Sequence, residues 1–415
     1  MLKNLTINNF RCFKHFELQQ LGRVNLLVGK NNSGKTSILE AIQLLCSRGN
    51  PEPLLEALTN RGEYCWSDDI RRGRRERELD ICHLFHGHEI ELGSEFSILA
   101  SNDNLENKLF VSIEKQPIAS KVDSESEFDE STSVVEEFSD NLIELAFKIL
   151  WTDGNKREGW KRSLSSNGGL SEDYIRRWRV IGKPSKNAVI NQYITSSSLT
   201  TTNMTDLFDQ VVLTPEEMLV YKALQTIEPK IERLASITSK TLRNSESRSG
   251  FVVRLADSDQ RVPIGSMGDG IWRMLGLALS TVCARGGVLL VDEIDTGLHF
   301  TAMEDMWKLI WETAKKLNVQ VFATTHNSDC WTSLASMASQ EQNTEDGITI
   351  QRIEPGKETG VVFSEREMVI NACLKSLPDF PEQLPETGLI HSIGEKLSPS
   401  ETLLSEYFTQ HTFSR

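Results

Sequence analysis

Val24-Asn25-Leu26-Leu27-Val28-Gly29-Lys30-Asn31-Asn32-Ser33-Gly34-Lys35-Thr36-Ser37 opens as a short apolar run and breaks into a glycine-bounded loop. Its residues 29–36 match G-x-x-x-x-G-K-[ST] in full. Beyond the loop, Ile38, Ile42 and Leu45 recur at helical spacing, so the motif lies between a predicted strand and a predicted helix. That context matters. The glycines let backbone N–H groups turn inward around a phosphate chain, at the positive end of the following helix. Gly29, Asn31, Asn32, Ser33, Gly34, Lys35, Thr36 and Ser37 are therefore the candidate nucleotide-binding residues. Lys35 places a point charge on the β- and γ-phosphates, and the Thr36 hydroxyl is suited to Mg²⁺. A glycine-rich turn with an exposed lysine is the bland alternative, and the flanking strand and helix weigh against it.

Val288-Leu289-Leu290-Val291-Asp292-Glu293 is the second informative stretch. Four continuously apolar residues fit a strand buried on both faces, which delivers two carboxylates to the carboxyl edge of a parallel sheet. Asp292 is the candidate metal ligand beside Thr36, and Glu293 the candidate general base for an attacking water. By itself the pair could be a solvated acidic turn; beside a complete phosphate loop that reading loses most of its weight. Gly265-Ser266-Met267-Gly268-Asp269-Gly270 precedes a helix with Ile271, Leu275, Ala278, Leu279 and Val282 on one face, and forms a second anion-binding helix start. One phosphate loop per chain has no evident use for it unless it meets the nucleotide of another subunit. Asp295-Thr296-Gly297-Leu298-His299 and Thr324-Thr325-His326 follow.

Alternation of strands and helices from 251 to 326, with Phe251 to Leu255, Val288 to Val291 and Val319 to Ala323 as strands, predicts a parallel sheet with crossover helices. Leu5 and Ile7, then Phe16 and Leu18, predict an N-terminal β-hairpin. From about 99 to 187 the pattern degrades, and 122–140, rich in Asp, Glu and Ser, reads as a solvated or disordered loop. Thr214-Pro215-Glu216-Glu217 reads as a capping box before a helix carrying Val220, Leu224, Ile227, Ile231 and Leu234, with a kink at Pro229. No sustained heptad repeat exists between 50 and 260, which excludes a long coiled-coil arm.

Lys plus Arg is 45 and Asp plus Glu 59, a formal net charge of −14, so DNA contact requires a local basic patch rather than bulk charge. Two clusters are candidates: Arg71, Arg72, Arg74, Arg75 and Arg77, and Arg176, Arg177 and Arg179 around Trp178; a solvated face is the ordinary reading of either. The 39% hydrophobic and 25% charged contents are those of a globular protein. The seven cysteines include no C-x-x-C pair, which argues against a disulfide framework or a zinc cluster and for a reducing compartment. With no apolar run of membrane-spanning length and no secretory signal at the N-terminus, a cytoplasmic location without membrane contact is expected.

Asn9-Phe10-Arg11, the phosphate loop, the Ser266 segment, Val288 to Glu293, Asp295 to His299 and Thr325-His326 together resemble an ATP-binding-cassette ATPase head of the SMC, RecF and OLD-like class. The likeness is good over 1–50 and 260–330 and loose between. It implies an α/β fold, with a mixed or parallel sheet, the N-terminal hairpin region and a helical insertion lobe. The expected division is 1–98 and 261–362 for the two parts of the ATPase core, 99–260 for the insertion and 363–415 for a tail. It also implies ATP and Mg²⁺, and two heads that sandwich two nucleotides. Ser266 and Gly268 would then touch the γ-phosphate in trans, Asp295 would work at the dimer seam, His326 would sense the γ-phosphate, and Arg11 would lie near the phosphates. A histidine ending a strand is otherwise usually just hydrogen-bonded structure. Two departures stand out: Ser-Met-Gly-Asp-Gly replaces the usual S-G-G-Q run, and no glutamine occurs in Leu84 to His88, where the class carries one.

The function expected is an ATP-hydrolysing switch that forms an ATP-dependent homodimer, or a higher oligomer, and gates a separate effector such as a nuclease, in anti-phage defence or in DNA transactions. A non-catalytic ATP-holding scaffold and a RecF-like DNA-repair ATPase are the alternatives. No nuclease is expected in this chain, because no Asp-x-Asp follows His326; Asp257-Ser258-Asp259 precedes the Ser266 segment and reads as a turn.

Overall fold

The computed structural model describes residues 1–66, 77–102, 106–117, 143–172, 189–197, 199–237, 250–340 and 347–363. The acidic stretch 122–140, all of both arginine clusters but Arg77, and the tail from 364 onward lie outside the described residues. The N-terminal hairpin forms as its alternation predicts: β1 (Asn4–Phe10) pairs with β2 (Phe13–Leu18), Ile7 opposite Phe16. β3 (Val24–Val28) feeds the glycine loop, and α1 (Lys35–Cys46) follows, then α2 (Glu52–Arg61).

A three-stranded sheet forms from β4 (Tyr64–Trp66), β5 (Arg77–Asp80) and, later in the chain, β10 (Gly169–Ser171). Between them run β6 (Glu95–Ser101), β7 (Glu106–Pro117), β8 (Ile143–Thr152) and β9 (Arg157–Ser163). These four extend the hairpin into a six-stranded antiparallel sheet of order β2-β1-β6-β7-β8-β9. Ile7, Ile98, Leu109 and Trp151 stand side by side across it, each 1% exposed or less.

Here the structure corrects the sequence reading. The stretch from 99 onward that shows no clear pattern holds long strands, and β6 begins before residue 99 and pairs with β1. The buried alternation Leu109, Val111, Ile113 is present, but its partners are distant and charged side chains crowd the other face. Glu114 there takes Lys148 at 2.8 Å and Lys161 at 2.9 Å.

After β11 (Asn191–Ile194) come α3 (Thr201–Val211) and α4 (Glu217–Gln225), then a second three-stranded sheet, β12 (Ile231–Ser236), β13 (Phe251–Leu255) and β14 (Arg261–Pro263). The helix expected to run on through Pro229 ends before it, so Ile231 and Leu234 belong to β12. A register shift between Ile231 and Arg233 leaves Ile231 and Leu234 buried and Arg233 exposed, so the two apolar residues stand three apart and imitate a helical stripe. Nor does the capping box close: the Glu217 carboxylate accepts the Leu213 N–H at 2.7 Å, and the Thr214 hydroxyl donates back to the Val211 carbonyl.

α5 (Asp269–Cys283), β15 (Val288–Val291), α6 (Met303–Leu317), β16 (Gln320–Thr325), α7 (Ser328–Gln340), β17 (Ile348–Arg352) and β18 (Val361–Phe363) complete the described fold. Their sheet has the order β11-β15-β16-β3-β17-β18, parallel except for β18. Its strands β3, β15 and β16 are buried on both faces. Leu26, Leu289 and Val321 face the cluster that α3–α7 pack into, while Leu27, Leu290 and Phe322 face α1 and the antiparallel sheet. α1 is thus sandwiched between the two sheets, which fixes the loop ahead of it. Among the described residues no helix is long and apolar enough to cross a membrane.

A candidate nucleotide-binding and hydrolysis site

The strand order sets the site. β16 lies between β3 and β15, with Thr325 opposite Val28 and Ala323 opposite Val291. The phosphate loop and the Asp292-Glu293 pair therefore leave the same carboxyl edge on either side of Thr324 and Thr325, the edge where open α/β sheets bind ligands. Gly34 takes φ 93° at the N-cap of α1, and a Cβ there would run into the Phe13 ring and lie 2.8 Å from Cys12 Sγ. Only glycine fits. The loop's tight path thus depends on the β1–β2 hairpin turn pressed beneath it.

Lys35 Nζ donates to the carbonyls of Gly29 (2.7 Å) and Lys30 (2.8 Å), which holds the ammonium over the loop. Partial burial lowers its pKa, and the charges of Asp292 and Glu293 oppose that shift. Thr36 Oγ1 donates to Asp292 at 3.0 Å, bringing together the hydroxyl and carboxylate that a divalent cation would need. An oxygen-only pair beside a lysine suits Mg²⁺. Asp292 is itself held by the Thr324 hydroxyl, which donates to Oδ1 at 2.6 Å and accepts the Glu293 N–H at 2.8 Å.

Glu293 adopts φ 47°, a left-handed conformation uncommon for a non-glycine residue. The turn holds this conformation because the Ile294 N–H is bonded to the Thr324 carbonyl. Its side chain stays 40% exposed, with Oε1 3.8 Å from His326 Nδ1. The predicted base and the predicted γ-phosphate sensor thus sit together at the open edge. Thr325 Oγ1 donates to Asp295 at 2.6 Å and fixes the next loop. Ser266 lies in a 3₁₀ turn (Ile264–Met267), and Ser266 and Gly268 are exposed. The start of α5, just after this turn, abuts the Asp295 loop: a Cβ on Gly270 would lie 3.2 Å from the Gly297 carbonyl, and one on Gly297 3.3 Å from Asp269 Cβ.

The AAA ATPase domain family matches residues 1–330. The chain belongs to that family. A Helicobacter pylori "ATP/GTP phosphatase" is 22% identical over 347 residues, 79% of this chain and 86% of that one. The RecF DNA replication and repair protein of Clostridioides difficile is 54% identical over 44 residues, only 11% of this chain and 12% of RecF. Among solved structures, the SMC head domain from Thermotoga maritima aligns over 87% of this chain and 98% of that one, at 12% identity and a TM-score of 0.38.

Within this AAA ATPase domain, Arg11 is engaged elsewhere than the loop. Its guanidinium meets Glu40 of α1 at 2.6 Å and Glu63 at 2.8 Å, and Arg61 takes the other Glu40 oxygen at 2.7 Å. Arg11 and Glu40 are buried, and the cluster sets α1 on the hairpin.

Two residues of the site escaped the sequence reading. Thr324 was visible only as the end of a strand. Arg273 lies in the apolar run of α5, 2% exposed, and donates to the carbonyls of Thr195 (2.9 Å), Asp292 (2.8 Å) and Glu293 (2.7 Å). Burial pulls its pKa down to about 10, against the attraction of Asp295, Asp292 and Glu293. It ties the helix behind Ser266 to the backbone that carries the acidic pair. An arginine between Trp272 and Met274 was the available signal.

Proposed function

We propose that the chain hydrolyses ATP at a site completed by a second copy. The observation that carries this reading is the continuous set of hydrogen bonds Thr36–Asp292–Thr324–Glu293 at one sheet edge. Lys35 and the loop N–H groups bind the phosphates, and Thr36 and Asp292 would hold Mg²⁺, whose charge would offset that of the phosphates. Glu293 takes a proton as water attacks the γ-phosphorus and the bond to the bridging oxygen breaks, releasing ADP and phosphate. His326, beside Glu293, contacts the γ-phosphate. Ser266 and Gly268 of the partner copy close over it, with Asp295 at the seam. The exposure of Ser266 and Gly268, and the contact of the following helix start with the Asp295 loop, support a two-headed arrangement.

ATP binding then joins two heads, hydrolysis parts them, and the cycle gates a separate effector such as a nuclease, in defence or in DNA transactions. Glu293→Gln should lower phosphate release by about 10²–10⁴-fold and trap an ATP-bound dimer in sizing experiments. Turnover at the wild-type rate in this variant would remove Glu293 as the base. A persistent monomer at saturating ATP would remove the shared site.

A further inference from the structure

The turn after β5 gathers metal-binding side chains, none of them a residue of the phosphate loop. Asp80 caps a 3₁₀ helix (Ile81–Leu84), its Oδ1 accepting the Cys82 N–H at 3.2 Å. The second carboxylate oxygen, Oδ2, lies 3.6 Å from His83 Nε2. One donor atom from each of Asp80, Cys82 and His83 falls within 4.8 Å of the other two, and all three residues are half-buried. We propose that Asp80, Cys82 and His83 form a binding site for a zinc-like transition-metal ion.

The geometry is close to what such an ion needs. Zn–N and Zn–O bonds of about 2.0–2.2 Å at tetrahedral angles put the two donor atoms roughly 3.4 Å apart, near the 3.6 Å between Asp80 and His83. All donor pairs lie within 4.8 Å, so drawing in the widest takes a closing of at most about 1.2 Å to the roughly 3.6 Å of a sulfur and a nitrogen or oxygen on one zinc. A thiolate, an imidazole and a carboxylate together select zinc over magnesium, which wants oxygen alone.

A second observation concerns His83's other nitrogen. Its Nδ1 lies 3.2 Å from His88 Nδ1. If His83 Nδ1–H is the donor there, the lone pair of Nε2 points toward Asp80, the tautomer that a metal-binding histidine requires. The lack of a C-x-x-C pair argued against a zinc cluster of cysteines; a site with one thiolate needs no such pair.

Its position gives the ion a purpose. The Arg11 N–H donates to the Leu84 carbonyl and the His86 N–H to the Asn9 carbonyl, both at 2.9 Å, while the Asp80 N–H reaches the Glu63 carbonyl at 3.1 Å. A bound ion would brace the turn against the Arg11–Glu63–Glu40 cluster behind α1.

The test uses the full chain, stripped with a chelator and titrated with Co²⁺ in excess Mg²⁺. The wild type should take up a single Co²⁺ with sulfur-to-cobalt charge-transfer absorption, displaced by Zn²⁺. The Mg²⁺ site, with oxygen ligands only, cannot produce that band. Cys82→Ser should abolish it, and His88→Asn, at an exposed position, should weaken affinity by about 10–100-fold. No band in the wild type, an unchanged band in Cys82→Ser, or wild-type affinity in His83→Gln overturns the site. Should Cys82→Ser fail to fold, the wild-type titration and His83→Gln still decide.

Discussion

The two six-stranded sheets divide the labour of this domain. In the parallel sheet β15 is wholly aliphatic and β3 nearly so, and the candidate site residues begin one position beyond the strands: Gly29 after Val28, Asp292 after Val291, His326 after Thr325, with Thr324 inside β16 as their support. The antiparallel sheet contributes none of the nucleotide-site residues. It holds α1 from behind, with Ile7, Ile98, Leu109 and Trp151 making the wall. One sheet aims residues; the other keeps the aiming helix still. Mutations should therefore separate stability from turnover according to the sheet they strike.

The largest effect on stability should come from the wall. Trp151 is 1% exposed, and Trp151→Ala removes a large ring that α1 and its neighbours cannot replace. A loss of about 3–5 kcal/mol in denaturant unfolding is expected. Turnover per folded molecule, measured below the unfolding transition, should stay near wild type. A comparable loss of turnover in the folded fraction would mean that the wall takes part in the chemistry, and the division between the sheets would fall.

Thr324→Val is the reciprocal test. The side chain keeps its shape, but Asp292 loses a 2.6 Å donor and the Glu293 N–H loses its acceptor. One orphaned buried group costs about 1–3 kcal/mol. Turnover should drop by roughly 10–100-fold, the usual penalty when a support of a metal ligand is removed. Steady-state phosphate release beside a melting curve checks both. Unchanged turnover at reduced stability would show that Asp292 is positioned without this hydroxyl.

This division also governs what could be read from the chain. Val24 to Val28 and Val288 to Val291 are legible because burial on both faces leaves a continuous apolar signature, and the residues after them are chemically specific. The strands β7 and β8 are harder, since their register depends on partners far along the chain and their outer face carries Lys and Glu. Thr324 and Arg273 were hidden for another reason. A threonine at a strand end and an arginine in a helix are common residues, and only the packing of β16 and α5 against the acidic pair reveals what they hold. Arg11 shows the converse: its place in a motif was legible, but its buried carboxylate partners, Glu40 and Glu63, were not.

The smallest effect tests a local reading against the folded chain. Thr214-Pro215-Glu216-Glu217 looks like a capping box, in which Thr214 should matter most. In the structure the Thr214 hydroxyl donates to the Val211 carbonyl rather than capping the helix, while the Glu217 carboxylate accepts both the Leu213 N–H and the Tyr221 hydroxyl, at 2.7 and 3.0 Å. Glu217→Ala should therefore cost about 1 kcal/mol, in the range of a lost cap, and Thr214→Ala less. If the order is reversed in paired unfolding curves, the helix start forms as the local sequence dictates, and the tertiary arrangement around Tyr221 is not what sets it.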